Sequence, residues 1–266
     1  MLPVALTIAG SDPSGGAGLQ ADLKTFHAFG VYGASVVTVL TVQNTCEVRA
    51  VRALDAVFVV AQLVAVLDDL PVAAAKTGLL GDAAQVAALA ECLRARPLPA
   101  LVVDPVLVAT AGQSLTAGDT ARALREHLVP LASLVTPNLA EAEALTGRAV
   151  QDVAAMRDAA RRLADLGARA VLVKGGHLPG APVDVLLADG ACHDLEGRRV
   201  GAASTHGTGC TLAAAITAGL AAGAPLADAI ARARRYVTAA LAAGGTPGHG
   251  NRPLNHLVHP NGGDGG

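Results

Sequence analysis

Short apolar runs alternate along the whole chain with longer segments in which apolar residues recur at helical spacing. Short runs bounded by glycine, proline or polar residues are typical of buried strands, and apolar residues three and four apart are typical of packed helices. The runs that predict strands are residues 4–9, 35–41, 72–76, 100–103, 134–136, 170–174 and 183–188. The segments that predict helices are residues 16–29, 55–70, 82–96, 119–131, 138–145, 152–166, 208–222 and 226–243. This alternation predicts an α/β protein with a mostly parallel central sheet.

The alternating pattern continues without a composition break, a long linker or a sequence repeat. We therefore expect residues 1–259 to form a single domain. The last stretch, residues 260–266, is rich in glycine and has little to pack, so it is expected to be a disordered tail.

Composition narrows the classes of partner. The chain has 20 Lys and Arg against 22 Asp and Glu, which is not the basic surplus that nucleic-acid binding needs. It is 52% hydrophobic, yet its longest apolar runs fall short of the roughly 20 residues of a membrane helix. Its four cysteines show no zinc-like or C-x-x-C spacing, and no export signal is recognisable. We expect a cytoplasmic protein that acts on small molecules, without a nucleic-acid or membrane partner.

The segment Thr-His-Gly-Thr-Gly-Cys-Thr at residues 205–211 stands directly before an apolar run that predicts a helix. Small residues let backbone N–H groups approach a ligand, and the start of a helix stabilises negative charge. This pattern is typical of a site for a phosphate group. The alternative is a glycine turn that caps a buried, alanine-rich helix.

A second glycine-rich loop, Gly-Ser-Asp-Pro-Ser-Gly-Gly-Ala-Gly at residues 10–18, follows the first predicted strand. It is not a P-loop, because Gly16 stands where a lysine is required, and it matches a dinucleotide fingerprint only loosely. Asp22 and Gln43 come shortly after the first two strands and have side chains that could hydrogen-bond a polar heterocycle. The alternative is that Asp22 is a first-turn charge and Gln43 an ordinary loop residue.

Three further polar groups follow predicted strands. They are Asp104, the pair Asn138 and Glu141, and Lys174. Asn138 and Glu141 are three apart on one helical face, where their oxygens could hold hydrated Mg²⁺. Alternatively, the two residues form a capping box at the start of that helix.

These segments together resemble a known family. The matching sequences are AGSDPSGGAGLQADLKTF near the N-terminus, then VQNT, KTG, DPV, TPNxxE, VKGGH and THGTGCTL, in that order. They are similar to those of the bacterial hydroxymethylpyrimidine/phosphomethylpyrimidine kinases of thiamin biosynthesis, which are ribokinase-like proteins. The resemblance extends from Leu6 to about His259.

The resemblance implies a ribokinase-like three-layer α/β/α sandwich and a homodimer. It also implies that ATP, with Mg²⁺, phosphorylates 4-amino-5-hydroxymethyl-2-methylpyrimidine and then the monophosphate of that compound. Two other functions remain open: a pyridoxine or pyridoxal kinase, whose substrate is also a methylated heterocycle with a hydroxymethyl group, and a non-catalytic regulator on the same fold. The intact set of phosphate-type residues argues against the regulator.

Site residues carry over by position. The resemblance implies a pyrimidine site formed by Gly10, Ala17, Asp22, Val42, Gln43, Leu79 and Val106. It implies an ATP site formed by Asn138, Lys174, Thr205, His206, Gly207 and Gly209, with Mg²⁺ near Glu141 and Asp104. Two positions depart from the family: Leu79 stands where many relatives have Met, and Cys46-Glu47 replaces a more usual x-Gly.

Catalysis is expected at the start of the helix after residue 207. The backbone N–H groups of Gly207, Thr208, Gly209 and Cys210, with the Lys174 ammonium, would neutralise the phosphoryl group during transfer. Sugar kinases of the superfamily have Asp where this chain has Cys210. The Cys210 thiol is therefore a candidate general base for the alcohol step, and its alternative is a structural role at a tight helix start.

Overall fold

A computed structural model describes residues 2–107, 119–176, 178–200 and 206–260. The strands described there form one nine-stranded sheet in the order β3-β2-β1-β4-β5-β6-β7-β8-β9. Their bounds are β1 Val4–Ser11, β2 Tyr32–Gln43, β3 Val48–Ala53, β4 Val72–Thr77, β5 Leu101–Val103, β6 Leu134–Val135, β7 Val171–Val173, β8 Val183–Ala188 and β9 Ala191–Glu196. The six strands from β2 to β7 in this order run parallel, and β3, β8 and β9 join antiparallel.

Helices cover both faces of the sheet. Their bounds are α1 Gly18–Ala28, α2 Ala56–Asp69, α3 Ala83–Ala95, α4 Thr120–Ala123, α5 Leu139–Thr146, α6 Val153–Asp165, α7 Thr208–Ala221 and α8 Leu226–Ala242. Helices α2 to α6 pack on one face, and α1, α7 and α8 pack on the other. The predicted three-layer α/β/α architecture is therefore confirmed.

Alternation within the strands divides the core between the two faces. In β5, Leu101 and Val103 belong to the cluster under α2 to α6, whereas Val102 between them belongs to the cluster under α7 and α8. Successive strand side chains point to opposite faces, so a strand covered on both sides is apolar at every position. This explains why the parallel strands are continuous apolar runs in the sequence.

Helix α7 packs on the sheet and is almost entirely buried. It is rich in alanine, and Gly219 faces α8 so closely that a Cβ there would come within 2.9 Å of Ala229 Cβ. Small side chains let the two helices approach. The apolar, alanine-rich composition thus positions α7, whose first turn is part of the candidate phosphate site.

The structure corrects three sequence-based predictions. Strands β3 and β9 were not predicted, because both are edge strands with exposed charged residues rather than apolar runs. The helix predicted over residues 119–131 is short: α4 continues as a π-helical turn at Leu124–Leu128 and a 3₁₀ turn at Val129–Leu131. Pro130 explains the end, because it cannot donate a hydrogen bond within a helix.

Two further expectations from the sequence concern the C-terminal tail and membrane-spanning helices. Of the expected tail 260–266, residues 261–266 lie outside the described residues. None of the helices in the described ranges is both long and apolar enough to span a membrane.

Candidate active site

The carboxyl ends of the parallel strands meet at one edge of the sheet, and a cavity of about 1300 Å³ lies along that edge. Open α/β sheets bind ligands at this edge. Fourteen of the sequence-predicted site residues line the cavity: Gly10, Ala17, Gln43, Leu79, Asp104, Val106, Asn138, Glu141, Lys174, His206, Gly207, Thr208, Gly209 and Cys210. The fold thus brings together residues from loops far apart in the sequence.

Two predicted site residues are placed differently, and a third lies outside the described residues. Val42 is 57% exposed and pairs with Ala50 of β3, while its neighbours Thr41 and Gln43 line the cavity. The alternation of strand side chains accounts for this, since Val42 points away from the face that carries Thr41 and Gln43. Asp22 is fully buried and is not among the described residues that line the cavity. Thr205 lies outside the described residues.

Asp22 forms a buried ion pair with Lys76. The Lys76 Nζ lies 2.9 Å from Asp22 Oδ2, the Thr7 hydroxyl donates to the same oxygen at 2.6 Å, and both charged side chains are 0% exposed. Burial raises the pKa of Asp22, and the nearby Lys76 ammonium only partly offsets that rise. For Lys76, burial alone would lower the pKa, but the Asp22 carboxylate and its other acidic neighbours raise it. A Cβ on Gly78, which lines the cavity, would come within 3.1 Å of Lys76 Nζ. The ion pair therefore lies directly beneath the cavity floor.

Breaking this pair from one side is expected to be costly. Lys76→Met should lower the free energy of unfolding by about 3–5 kcal/mol, because the Asp22 carboxylate would stay buried without a counter-charge. The double variant Lys76→Met/Asp22→Leu should regain most of that loss, because neither charge is then buried. Urea denaturation of the two variants and the unmodified protein measures this, and a single variant as stable as the parent would contradict it.

Asp12 organises the loop between β1 and α1. Its Oδ1 accepts hydrogen bonds from the Ser14 N–H and hydroxyl, and its Oδ2 accepts from the N–H groups of Gly16 and Ala17. Burial alone would raise the pKa of Asp12, but its hydrogen bonds to His206 and Ser14 lower it below the ordinary value. The sequence reasoning missed this residue. Its signal was available, because an Asp that begins a Pro-Ser-Gly-Gly stretch commonly accepts from the backbone just after it.

The glycine turn at residues 206–210, called the phosphate-type turn, packs against this loop. His206 Nε2 lies 3.2 Å from Asp12 Oδ2, and Gly207 has a φ of +80°. A Cβ on Gly207 would come within 1.9 Å of the Gly16 carbonyl oxygen, so only glycine fits between the turn and the loop. Helix α7 begins at the next residue, and the first N–H groups of a helix have no partner within it. Because Gly207 to Cys210 line the cavity, this turn presents the positive end of α7 to a ligand.

Lys174 joins the ends of three strands. Its Nζ lies 2.9 Å from Asp104 Oδ1 and 3.9 Å from Glu141 Oε2, and the Thr136 hydroxyl donates to Asp104 Oδ1 at 3.0 Å. Burial opposes the charge on Lys174, but the carboxylates of Asp104 and Glu141 raise the pKa of that lysine well above its ordinary value. A Cβ on Gly209 would come within 3.2 Å of Lys174 Nζ. The ammonium therefore lies beside the first turn of α7, where both can act on one anion.

Glu141 and Asn138 form the capping box that the sequence suggested. The Asn138 side chain accepts from the Glu141 N–H at 2.9 Å, and the Glu141 carboxylate accepts from the Asn138 N–H at 2.7 Å. Burial raises the pKa of Glu141 to about 7, although Lys174 opposes the shift. Asn138 and Glu141 also line the cavity, so the capping role and a ligand role are compatible.

The Cys210 thiol differs from a typical cysteine at a helix start. Burial raises its pKa to about 12, an effect that Lys76 opposes and Asp22 and Asp104 reinforce. A thiol with that pKa is almost wholly protonated at neutral pH. Burial thus outweighs the lowering of the thiol pKa that a helix N-terminus commonly produces, and a thiolate at Cys210 would be a minor species.

Four arginines at the cavity were not singled out in the sequence. They are Arg198, Arg199, Arg234 and Arg235. Arg234 Nε lies 2.9 Å from Asp184 Oδ2, and its Nη2 donates to the carbonyl oxygens of Leu195 and Glu196. Arg234 therefore ties α8 to the β8–β9 hairpin. No local motif marks these arginines, because their proximity depends on how the hairpin and α8 pack.

A doubly covered parallel sheet, a glycine turn that opens a buried helix, and a lysine between two carboxylates define a ribokinase-like small-molecule kinase. The comparisons agree with this class. The family model described as phosphomethylpyrimidine kinase matches residues 12–255. The chain belongs to the phosphomethylpyrimidine kinase family.

Known proteins are similar over nearly the whole chain. A Rhizobium meliloti protein named hydroxymethylpyrimidine/phosphomethylpyrimidine kinase is 50% identical over 97% of this chain and 98% of its own. The Geobacter sulfurreducens thiamine biosynthesis bifunctional protein ThiED is 50% identical over 95% of this chain, which spans only 52% of that protein. A crystal structure of Bacillus subtilis pyridoxal kinase with ADP has a TM-score of 0.88 and 38% identity, covering 96% of this chain and 98% of that one.

Proposed function

We propose that this protein transfers the γ-phosphoryl group of ATP to the hydroxymethyl group of 4-amino-5-hydroxymethyl-2-methylpyrimidine, and then phosphorylates the resulting monophosphate. One observation carries the proposal: a single cavity joins two chemically different ends. Leu79, Val106 and Gln43 supply apolar walls and an amide at one end. Lys174 and the first turn of α7 supply positive charge at the other end. Such a cavity suits a small polar heterocycle beside a polyphosphate.

The chain's own residues account for the electrostatic part of the transfer. Phosphoryl transfer has a loose transition state with charge spread over the phosphoryl oxygens, so positioning and charge stabilisation do most of the work. The N–H groups of residues 207–210 and the Lys174 ammonium are held by contacts within the protein before any ligand arrives. Donors placed in advance need no rearrangement during the reaction. The Gln43 amide would orient the pyrimidine edge.

A magnesium ion is part of the proposal. Asp104 Oδ2 is buried without a hydrogen-bond partner among the described residues, and Glu141 lies on the other side of Lys174. The described residues contain no cluster of three or more metal-ligating side chains. Mg²⁺ is commonly held by one or two carboxylates together with substrate phosphates and water, so Asp104 and Glu141 fit it. When bound with ATP, the ion would neutralise phosphate charge.

Product analysis tests the proposed function. The protein should be incubated with ATP, Mg²⁺ and the hydroxymethylpyrimidine, and products separated over time. We expect the monophosphate first and the pyrophosphate later, with one ADP formed for each transfer. Absence of both phosphorylated products under conditions in which the protein is folded would overturn the proposal.

Pyridoxal phosphorylation is the second candidate function. The similarity to the Bacillus subtilis pyridoxal kinase favours it specifically. Both substrates are methylated nitrogen heterocycles with a hydroxymethyl group, so the same cavity end could receive either. Parallel assays with pyridoxal and pyridoxine separate the two functions: we expect a higher kcat/KM for the pyrimidine, and the reverse order would favour vitamin B6 phosphorylation.

Gln43 provides a prediction about the pyrimidine end. Gln43→Leu should raise the KM for the pyrimidine and leave the KM for ATP unchanged, because ring polar groups would lose a partner at a cost of roughly 1–3 kcal/mol. Steady-state kinetics with each substrate varied in turn measures this. The matched control is Gln151→Leu, at an exposed position before α6. An unchanged pyrimidine KM would remove Gln43 from the site.

The proposal includes a homodimer and a cytoplasmic location. Exposed large apolar side chains concentrate on β2, β3 and the start of α2: Leu40, Val42, Val51, Val57 and Phe58. Exposed apolar surface of this kind often marks a protein interface. All four cysteines are free, in keeping with a reducing compartment.

A charge placed on this surface tests the dimer. We expect light scattering to give twice the 26.4 kDa chain mass for the parent and a single chain mass for Val57→Asp/Phe58→Asp, because a buried charge opposes association. The control Leu257→Asp alters a side chain that is 94% exposed elsewhere and should leave the mass unchanged. A parent that is monomeric, or a double variant that stays dimeric, would contradict this interface.

A further inference from the structure

The C-terminal segment 248–256, here called the C-terminal strap, contacts three segments that flank the site: the loop after β2, the loop after β1 and the first turn of α7. At its beginning it clamps the loop after β2: the Gly250 N–H donates to Thr45 Oγ1 at 3.2 Å and the Asn251 N–H donates to the Thr45 carbonyl at 2.7 Å. A Cβ on Gly250 would come within 2.1 Å of the Thr45 carbonyl oxygen. Thr45 is two residues beyond Gln43, so this clamp holds the pyrimidine end of the cavity.

The middle of the C-terminal strap contacts the loop after β1. A Cβ on Gly16 would come within 3.3 Å of Pro253 Cβ and within 2.8 Å of His206 Cδ2. Gly16 is therefore enclosed between the strap and the phosphate-type turn. Through it, Pro253 limits how far that turn can move.

The end of the C-terminal strap holds the first turn of α7. His256 Nε2 lies 3.0 Å from Thr211 Oγ1, one residue after Cys210. The Tyr236 hydroxyl of α8 donates to the His256 carbonyl at 3.0 Å, and the His256 side chain is buried. Burial lowers the pKa of His256 to about 4, so the imidazole is neutral at pH 7. A buried, doubly anchored contact of this kind resists displacement of the helix end.

We propose that Thr45 and His256 are positioning residues. Through them the C-terminal strap fixes the distance between the bound pyrimidine and the phosphate-type turn. The inference rests on the proposed kinase function. It assigns a role to residues that need not touch either substrate. Thr45 acts through the Gln43 loop, and His256 acts through Thr211 on the N–H groups of α7.

This positioning role can be measured because water competes with the acceptor oxygen for the γ-phosphoryl group. Transfer requires the acceptor oxygen to lie about 3–3.5 Å from phosphorus, and small displacements are costly. When the acceptor is misplaced, a water oxygen can form the new bond to the γ-phosphorus. The bond to the bridging oxygen of ADP then breaks, and water's proton is released with inorganic phosphate. A loosened strap should therefore release ADP without an equal number of phosphoryl groups transferred to the pyrimidine.

Two substitutions loosen the C-terminal strap at opposite ends. Thr45→Val removes the Oγ1 acceptor with little change of shape, and His256→Phe keeps a ring but removes Nε2. His256→Gln restores a polar group at the same place. The first control, Leu257→Ala, removes a 94% exposed side chain just beyond the strap. The second control, Leu89→Ala, alters a buried side chain of α3 and lowers stability without touching the strap.

The closing experiment measures ADP and the phosphoryl groups transferred to the pyrimidine, with each pyrophosphate counted as two transfers, and it records hydrogen exchange of the ligand-free proteins. The parent and both controls should give one ADP per transferred phosphoryl group, whereas Thr45→Val and His256→Phe should give severalfold more ADP than transfers, with partial recovery in His256→Gln. Exchange should rise at residues 43–46 in the first variant and at residues 207–211 in the second. Ratios of one in both variants, or exchange that is unchanged at these residues, would overturn the strap's role. A parent that phosphorylates no pyrimidine would overturn the proposed function instead, while exchange would still report on the strap.

Discussion

Lys174→Ala is expected to lower kcat/KM for ATP by about 10²–10³-fold and to leave pyrimidine binding nearly unchanged. The Lys174 ammonium lies beside the first turn of α7, and removing one preorganised donor for a transferring group typically costs that much. Steady-state kinetics for ATP, with calorimetric binding of the pyrimidine, measures the two effects. The matched control is Arg169→Ala, which removes an exposed positive charge before the start of β7, whereas Lys174 follows the end of that strand.

Stability must be separated from catalysis in this variant. Without Lys174, the Asp104 carboxylate loses its counter-charge, and such a loss costs about 3–5 kcal/mol when the group is buried. The double variant Lys174→Ala/Asp104→Asn should therefore regain stability but not activity. Equal losses for ATP and the pyrimidine, or recovery of activity in the double variant, would contradict the assignment of Lys174 to the phosphates.

If Cys210 is the general base, Cys210→Ser should slow phosphorylation of the alcohol by roughly 10²–10⁴-fold and slow the second step much less, even though burial leaves only a small thiolate fraction at neutral pH. An alcohol must lose a proton as it attacks, whereas the monophosphate is already an anion. The substitution keeps the backbone N–H at residue 210, so any change in the ratio of the two rates isolates the side chain. Each step is measured separately, starting from the alcohol and from the monophosphate.

The raised pKa of Cys210 also predicts how the rate of the alcohol step depends on pH. With a pKa of about 12, the thiolate fraction rises tenfold with each pH unit below that value. The alcohol step of the parent should therefore accelerate as pH increases from 7 to 9, while the monophosphate step should not follow the same slope. The serine variant should lose the slope. Equal slowing of both steps would instead indicate packing or phosphate positioning, and no slowing would make Cys210 structural.

Local sequence patterns were sufficient for the main elements and for the ends of the strands. Apolar runs predicted β1, β4 and β5 because strands buried on both faces need apolar residues at each position. Asp55, Asp82 and Asp152, where three predicted helices begin, are the N-caps of α2, α3 and α6. Glycine and polar residues after the strands placed most predicted site residues on one cavity, because parallel strands end at the same edge.

The edge strands and individual side-chain environments required the tertiary structure. Strand β9 is polar and exposed, and only pairing with β8 makes it a strand. Asp22 looked like a ligand-binding group, yet Lys76, 54 residues away, takes its carboxylate. A local window around Asp22 does not contain Lys76.

The sequence by itself determined the alternation of strands and helices, the glycine turns and the residue types at the strand ends, because these depend on neighbours within a few positions. Tertiary structure alone decided that Asp12 holds His206, that burial keeps the Cys210 thiol protonated, and that residues 248–256 contact Thr45 and Thr211 beside the site. The physical reason is that desolvation and hydrogen-bond partners depend on groups that folding brings together from distant segments. Charge states and contacts between distant segments are therefore properties of the packed molecule, whereas most of the helices and the buried strands follow from the local chain.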